Sequence, residues 1–221
     1  MKSIISICSR VALLLVLVLT LPACRTKKPD GTWKALFDGR SLDGWKMVGP
    51  GEFRLERGEL VTYGGMGMLC YTREMFGDCR ILVVFKPTTG RDNSGVFIRI
   101  PEVPTDPWFA VNRGYEVQIE NSGDAWHRTG TLYSISEAKR TVHARVNEWN
   151  IMVITLEGKR TRVELNDVLI TDFNEGDAVP AKTKDYEPER GSRPTAGYIG
   201  LQNHDENSRV HFREVSVSPL R

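Results

Sequence analysis

Cysteine is scarce in this chain, four in 221 residues, and none sits in a CxxC or Cys/His spacing, so no zinc motif is legible. An excess of one charge is missing too: Lys plus Arg number 30 and Asp plus Glu 28. That balance gives no electrostatic footprint for nucleic acid or an acidic polymer. Beyond the first two dozen residues no segment carries a helical repeat longer than a turn or two, which argues against a bundle. The one long apolar run, residues 11–21, is too short to span a bilayer.

What that run fits is a secretory signal. Lys2 and Arg10 precede it, and Leu21-Pro22-Ala23-Cys24 follows, resembling a bacterial lipoprotein box. Residues 1–23 are therefore expected to be removed and Cys24 lipidated, since two or more acyl chains anchor stably. The alternative is an ordinary signal with an incidental cysteine. No aspartate follows Cys24, so by resemblance to sorting signals the expected place is the bacterial envelope, on the periplasmic or surface side of the outer membrane. The only membrane contact expected is the lipid. Residues 24–32 read as a tether and 33–221 as one domain. Cys70 and Cys79 then remain, either as a cross-strand disulfide in an oxidising compartment or as two buried thiols.

The domain reads as many short strands: 53–55, 59–62, 68–71, 79–86, 95–100, 115–120, 130–133, 150–156, 160–165, 168–173, 197–202 and 210–217. Gly, Asn, Asp and Pro punctuate them, and Leu165-Asn166-Asp167-Val168 predicts a tight hairpin. The pattern predicts an all-β fold, an antiparallel two-sheet jelly-roll sandwich. Two stretches break the rhythm, 101–112 with three prolines and 176–194 with many charges. Loops of that length are usually functional or mobile.

The chain is organised around residues 114–121, Gly-Tyr-Glu-Val-Gln-Ile-Glu-Asn. Tyr115, Val117 and Ile119 face one way; Glu116, Gln118 and Glu120 face the other, about 7 Å apart along the strand. Strand 95–100 repeats the pattern, with Val96, Ile98 and Ile100 opposed by Phe97 and Arg99. So does 198–204, with Ile199 and Leu201 opposed by Gly200, Gln202 and His204. In one sheet these strands would make one core face and one polar, partly aromatic floor. Trp108 and Phe109 would wall it.

Several motifs together, in order, resemble the 3-keto-disaccharide hydrolase family. They are residues 36–45 (LFDGRSLDGW), 93–99 (NSGVFIR), 114–119 (GYEVQI), 129–133 (TGTLY), 148–150, 165–168, 200–204 (GLQNH) and 210–213. The likeness covers essentially 33–220. It implies a concanavalin-like or laminarinase-like jelly roll and the cleavage of 3-keto-glycosides in bacterial carbohydrate catabolism, by hydrolysis or by elimination followed by hydration. The chain departs from the family at Val84, where an acidic residue is common, at Lys86, where arginine is common, and at Asp167, where glycine is usual.

A 3-keto group acidifies the C2 hydrogen. Cleavage then needs a base, an electrophile for the C3 oxygen and an acid for the departing oxygen. Glu116 is the expected base, His204 an acid or base, and Arg99 the enolate stabiliser or a hydroxyl grip. Gln118, Gln202 and Asn93 suit hydroxyls. Phe97, Trp108, Tyr133 and Lys86 complete the expected sugar contacts, Tyr133 as proton donor or stacking ring. The alternatives are a Glu116–Arg99 ion pair, His204 capping the next turn, Trp108 as a hydrophobic plug, and a surface role for His127. Glu116 and Glu120 are about 13 Å apart at strand rise, too far for a retaining glycosidase pair. No cofactor is required; a divalent cation held by Glu116, His204 and Asp92 is conceivable. A non-catalytic glycan-binding lipoprotein and a purely structural surface protein are the competing readings.

Overall fold

The computed structural model describes residues 28–220; the signal segment, Cys24 and the first residues of the tether lie outside them. In chain order the elements are β1 (Lys34–Phe37), β2 (Trp45–Val48), β3 (Glu52–Glu56), β4 (Glu59–Tyr63), β5 (Gly67–Phe76), β6 (Cys79–Pro87), β7 (Asn93–Ile100), α1 (Pro107–Arg113), β8 (Tyr115–Glu120), β9 (Asn150–Glu157), β10 (Arg160–Leu165), β11 (Val168–Asn174), β12 (Gly197–Asn203) and β13 (Val210–Pro219). The strands form two antiparallel sheets. One runs β11-β10-β9-β6-β13-β4-β3, with β1 beside β13; the other runs β2-β5-β12-β7-β8. The expected two-sheet sandwich is what forms.

Local chemistry explains the hairpins. Asn166 and Asp167 take φ of 49° and 67° in the β10–β11 turn, as a two-residue turn with both centres left-handed requires. Asn166 also accepts the Ile151 N–H at 2.9 Å, which ties that turn to β9. The core lies between the sheets: Leu60, Phe85, Met152, Ile154 and Phe212 on one side meet Val96, Ile98, Val117, Ile119, Ile199 and Leu201 on the other. Each such side chain contributes about 1.5–3 kcal/mol when fully buried.

Three expectations change and one open alternative is decided. Residues 34–37 and 45–48 are strands as well. Residues 107–113, inside the stretch expected to be irregular, form a helix: the Asp106 carboxylate caps it by accepting the Trp108 N–H at 2.8 Å, and Pro107 supplies the fixed φ of the first turn. Residues 130–133 are not a regular strand, because Gly130 sits at φ 91° and breaks the alternation. They still run along the edge of β8, with Gly130 N–H donating to the Gln118 carbonyl and Tyr133 N–H to the Glu116 carbonyl, both at 2.9 Å. Lastly, Cys70 and Cys79 are free thiols. The chain crosses between sheets after β5, so Cys70 packs with Met68 and Phe97 outside the small sheet while Cys79 lies in the inter-sheet core. Burial pushes both thiols up to about 12, far from reactive.

Candidate functional site

The outer face of the small sheet divides in two. Over β5, β7 and β12, helix α1 seals an apolar patch, with Ala110 and Val111 packed on Met68, Phe97 and Ile100. Beside it, over β8 and the ends of β7 and β12, a cavity of about 570 Å³ opens. That size is within the usual range for small-molecule sites. Its floor is Glu116, Gln118 and Glu120 with Asn93 and Gln202; its walls bring Trp108, His127, Tyr133, Lys184, Tyr186 and His204.

Glu116 is 7 % exposed. It pairs with Phe97 across β7 and its side chain lies over Gly95, where a Cβ would come within 2.5 Å of Oε1. Gly95 is thus needed for space and not for its backbone angles. Burial pushes the Glu116 carboxyl up to about 8; a hydrogen bond from Gln202 opposes the shift and the Glu120 charge adds to it. Gly95→Ala should therefore push the carboxylate out of its seat and bring its proton affinity back toward the ordinary carboxylate range, which an NMR titration of Glu116 reads. The unfolding midpoint should move little. An unchanged titration would show that the seat does not matter.

Two carboxamide oxygens in this cavity, Asn93 Oδ1 and Gln202 Oε1, are buried and have no hydrogen-bond partner among the described residues. Buried acceptors left unpaired cost about 1–3 kcal/mol each. Turned toward the cavity, these two amides suit ligand hydroxyls. The Asn93 amide meanwhile donates to Glu120 at 3.2 Å, and Gln118 Oε1 accepts the Ile119 N–H at 3.1 Å. Tyr133 also enters the cavity, its phenol pushed up to about 12 by burial and the nearby Glu116 charge. Trp108 is 46 % exposed and Tyr186 50 %, both at the rim, which removes the plug reading of Trp108. His204 lines the cavity while its Nδ1 leans on Asp205 at 2.8 Å. Asp205, not His204, caps the following turn, accepting the Asn207 and Ser208 N–H groups.

Three expected contacts lie elsewhere. Arg99 has φ 55°, and between Gly200↔Phe97 and Tyr198↔Ile100 the register of β7 gains a residue over β12. This bulge reverses the alternation, so Ile100 joins the face expected for Arg99. The Arg99 guanidinium instead donates to the carbonyls of Pro194, Gly158 and Arg160 at 2.9–3.2 Å. It does not line the cavity, and it makes no ion pair with Glu116. Phe97 faces the expected way but is sealed under α1. Lys86 belongs to the other sheet, where it bonds Glu59 at 3.3 Å and lies over the Trp149 ring. Asp92 accepts the N–H groups of Thr88 and Thr89 and so anchors a turn. Among the described residues no group of three or more His, Cys, Asp or Glu is placed to hold a metal ion, so the Glu116, His204 and Asp92 set does not assemble.

Sequence reasoning missed Lys184, Tyr186 and Glu187. The length of 176–194 marked that loop as functional, but nothing in it says which side chains turn inward. Glu120 was legible from alternation and was weighed only as a glycosidase partner. Asp124 was overlooked although it stands three residues before His127, a spacing common in side chain to side chain contacts within one turn.

The family model of the 3-keto-alpha-glucoside-1,2-lyase-like domain matches residues 32–218. The chain belongs to this family. No curated protein matches the sequence. Among solved structures, two candidate glycosyl hydrolases from Parabacteroides distasonis are similar to this family member. One has a TM-score of 0.69 at 24 % identity, covering 86 % of this chain and 100 % of the other. The second has 0.68 at 22 %, covering 86 % and 94 %. The carbohydrate-binding module CBM66 from Bacillus subtilis matches at 0.54 and 18 %, covering 79 % and 95 %. At such identities these likenesses establish the jelly-roll fold and nothing finer.

Proposed function

We propose that this family member cleaves 3-keto-glycosides by elimination across C1 and C2. The observation that carries the reading is Glu116: a buried carboxyl with a raised proton affinity, in a sugar-sized cavity, beside two unpaired amide acceptors. A base should have a pKa near its working pH, and a carboxylate that binds a proton this tightly is matched to a hydrogen made acidic by the adjacent ketone. Glu116 takes the C2 proton, Asn93 and Gln202 accept hydrogen bonds from sugar hydroxyls, and Trp108 and Tyr186 cover the sugar faces. Lys184 is the cation at the rim suited to the developing oxyanion, the task Arg99 cannot perform from its position. The elimination product is then open to hydration.

The soluble domain from Thr26 onward, incubated with 3-keto-trehalose, should release glucose, with and without chelator. The chelator arm decides whether a divalent cation assists. The second reading, a glycan-binding module, draws on the exposed Trp108 and Tyr186 pair and on the fold shared with CBM66. Binding with no product over long incubation would select it. Lipidation of Cys24 at the outer membrane is part of the proposal, motivated by the box at 21–24; Cys24→Ser should then leave the protein in the soluble fraction, and retention on membranes would remove the anchor.

A further inference from the structure

His127 uses both ring nitrogens. Nδ1 meets Asp124 Oδ1 at 2.7 Å and Nε2 meets Ser134 Oγ at 2.8 Å. The ring also packs on Tyr133, centroids 5.1 Å apart. Ser134 follows Tyr133 directly, and its side chain eases the phenol's proton affinity against the rise that burial causes. Ser134 is buried and held at φ 56°, a left-handed conformation that a serine adopts only at a cost of about 1–2 kcal/mol. The fold keeps this strain where the hydroxyl bonds His127, whose ring packs on Tyr133. At the other end the chain is open to water, the Asp124 side chain being 67 % exposed.

We propose that Tyr133 is the acid that protonates the departing oxygen and that Ser134, His127 and Asp124 form the proton relay that resupplies it. This rests on the elimination reading above. Glu116 accepts the C2 proton, the C2–H electron pair becomes the new C1–C2 π bond through the enolate, and the C1–O bond breaks with its pair on oxygen. That oxygen takes the phenolic proton of Tyr133. Ser134 passes its hydroxyl proton to Tyr133 and His127 passes its Nε2 proton to Ser134, while His127 Nδ1 takes a proton from water by way of the Asp124 carboxylate. One proton enters at Glu116 and one leaves through Tyr133, so charge balances. Asp124 and Ser134 are positioning residues, since they act through their neighbours. A Ser-His-Asp acyl-transfer triad is the wrong reading of this set: Ser134 does not line the cavity, and its hydroxyl is enclosed.

Leaving-group dependence tests the relay. An alkyl or glucosyl 3-keto-glucoside needs a proton on its departing oxygen; a 4-nitrophenyl 3-keto-glucoside does not. His127→Gln and Tyr133→Phe should slow the first by roughly 100-fold or more and the second by less than about threefold, the usual worth of a general acid. Ser134→Ala, which removes a single oxygen, should show the same selectivity and keeps the test open if His127→Gln does not fold. Equal slowing of both substrates would mean a structural role and overturn the relay, as would no slowing of either. If the wild-type protein cleaves neither ketoside, the elimination reading falls and the relay with it. Cleavage by the wild type with unselective variants sinks the relay alone.

Discussion

Glu116→Gln is expected to abolish turnover of a 3-keto-glycoside while making the protein more stable at alkaline pH. The stability half follows from linkage. In the folded chain burial holds the carboxyl near 8, against an ordinary 4.5. Below pH 4.5 both folded and unfolded chains hold the proton, and the residue has no pH-dependent effect. Between 4.5 and 8 the unfolded chain releases it and the folded chain does not, so stability falls as pH rises, by at most about 1.4 kcal/mol per unit. Above 8 the loss levels off. Glutamine carries no such penalty and can donate to Gln202 Oε1, which lacks a partner. The variant should therefore gain roughly 2–5 kcal/mol at pH 8.5 and almost nothing at pH 4.5. Urea midpoints at both values check it. A gain of the same size at both would show that the carboxyl is not held neutral by burial. On the activity side, kcat/KM of the wild type should climb with pH toward a plateau above 8, because the base must be ionised. A profile that falls through that range would make Glu116 the acid instead.

Arg99→Ala should be the most damaging single change to the fold. The side chain is 1 % exposed and heads the largest fully buried side chains among the described residues. Removing it strands the carbonyls of Pro194, Gly158 and Arg160 and leaves a cavity between β7, the β9–β10 turn and the end of the long loop. A loss of roughly 3–5 kcal/mol is expected, the range for breaking a buried charged hydrogen-bond set. Because loop 176–194 carries Lys184 and Tyr186, substrate affinity should weaken too, seen as a raised KM at temperatures where the variant is still folded. A loss under about 1 kcal/mol would show that the three carbonyls find other donors.

These two residues also mark where reading along the chain stops working. For β8 the period of two is unbroken, so Tyr115, Val117 and Ile119 went inward and Glu116, Gln118 and Glu120 outward as the pattern required. For β7 the same rule placed Arg99 on the floor, and one left-handed residue reversed it. A bulge leaves no mark in the alternation of side chains, since it changes the backbone and not the residue types. Lys86 failed for a different reason: its strand, β6, belongs to the opposite sheet.

By itself the sequence determined which strands alternate, that they build an antiparallel sandwich, that β8 offers a carboxylate and a carboxamide on one face, and which family the motifs resemble. These follow from local periodicity and turn chemistry, which each segment carries alone. Only the tertiary structure decided which strand lies in which sheet, that Gly95 seats Glu116, and that segments as far apart as Met66 and His204 enclose one cavity. It also separated Cys70 from Cys79 and joined Asp124, His127 and Ser134 to Tyr133. Those are outcomes of packing two layers against each other, where distance along the chain no longer measures distance in space.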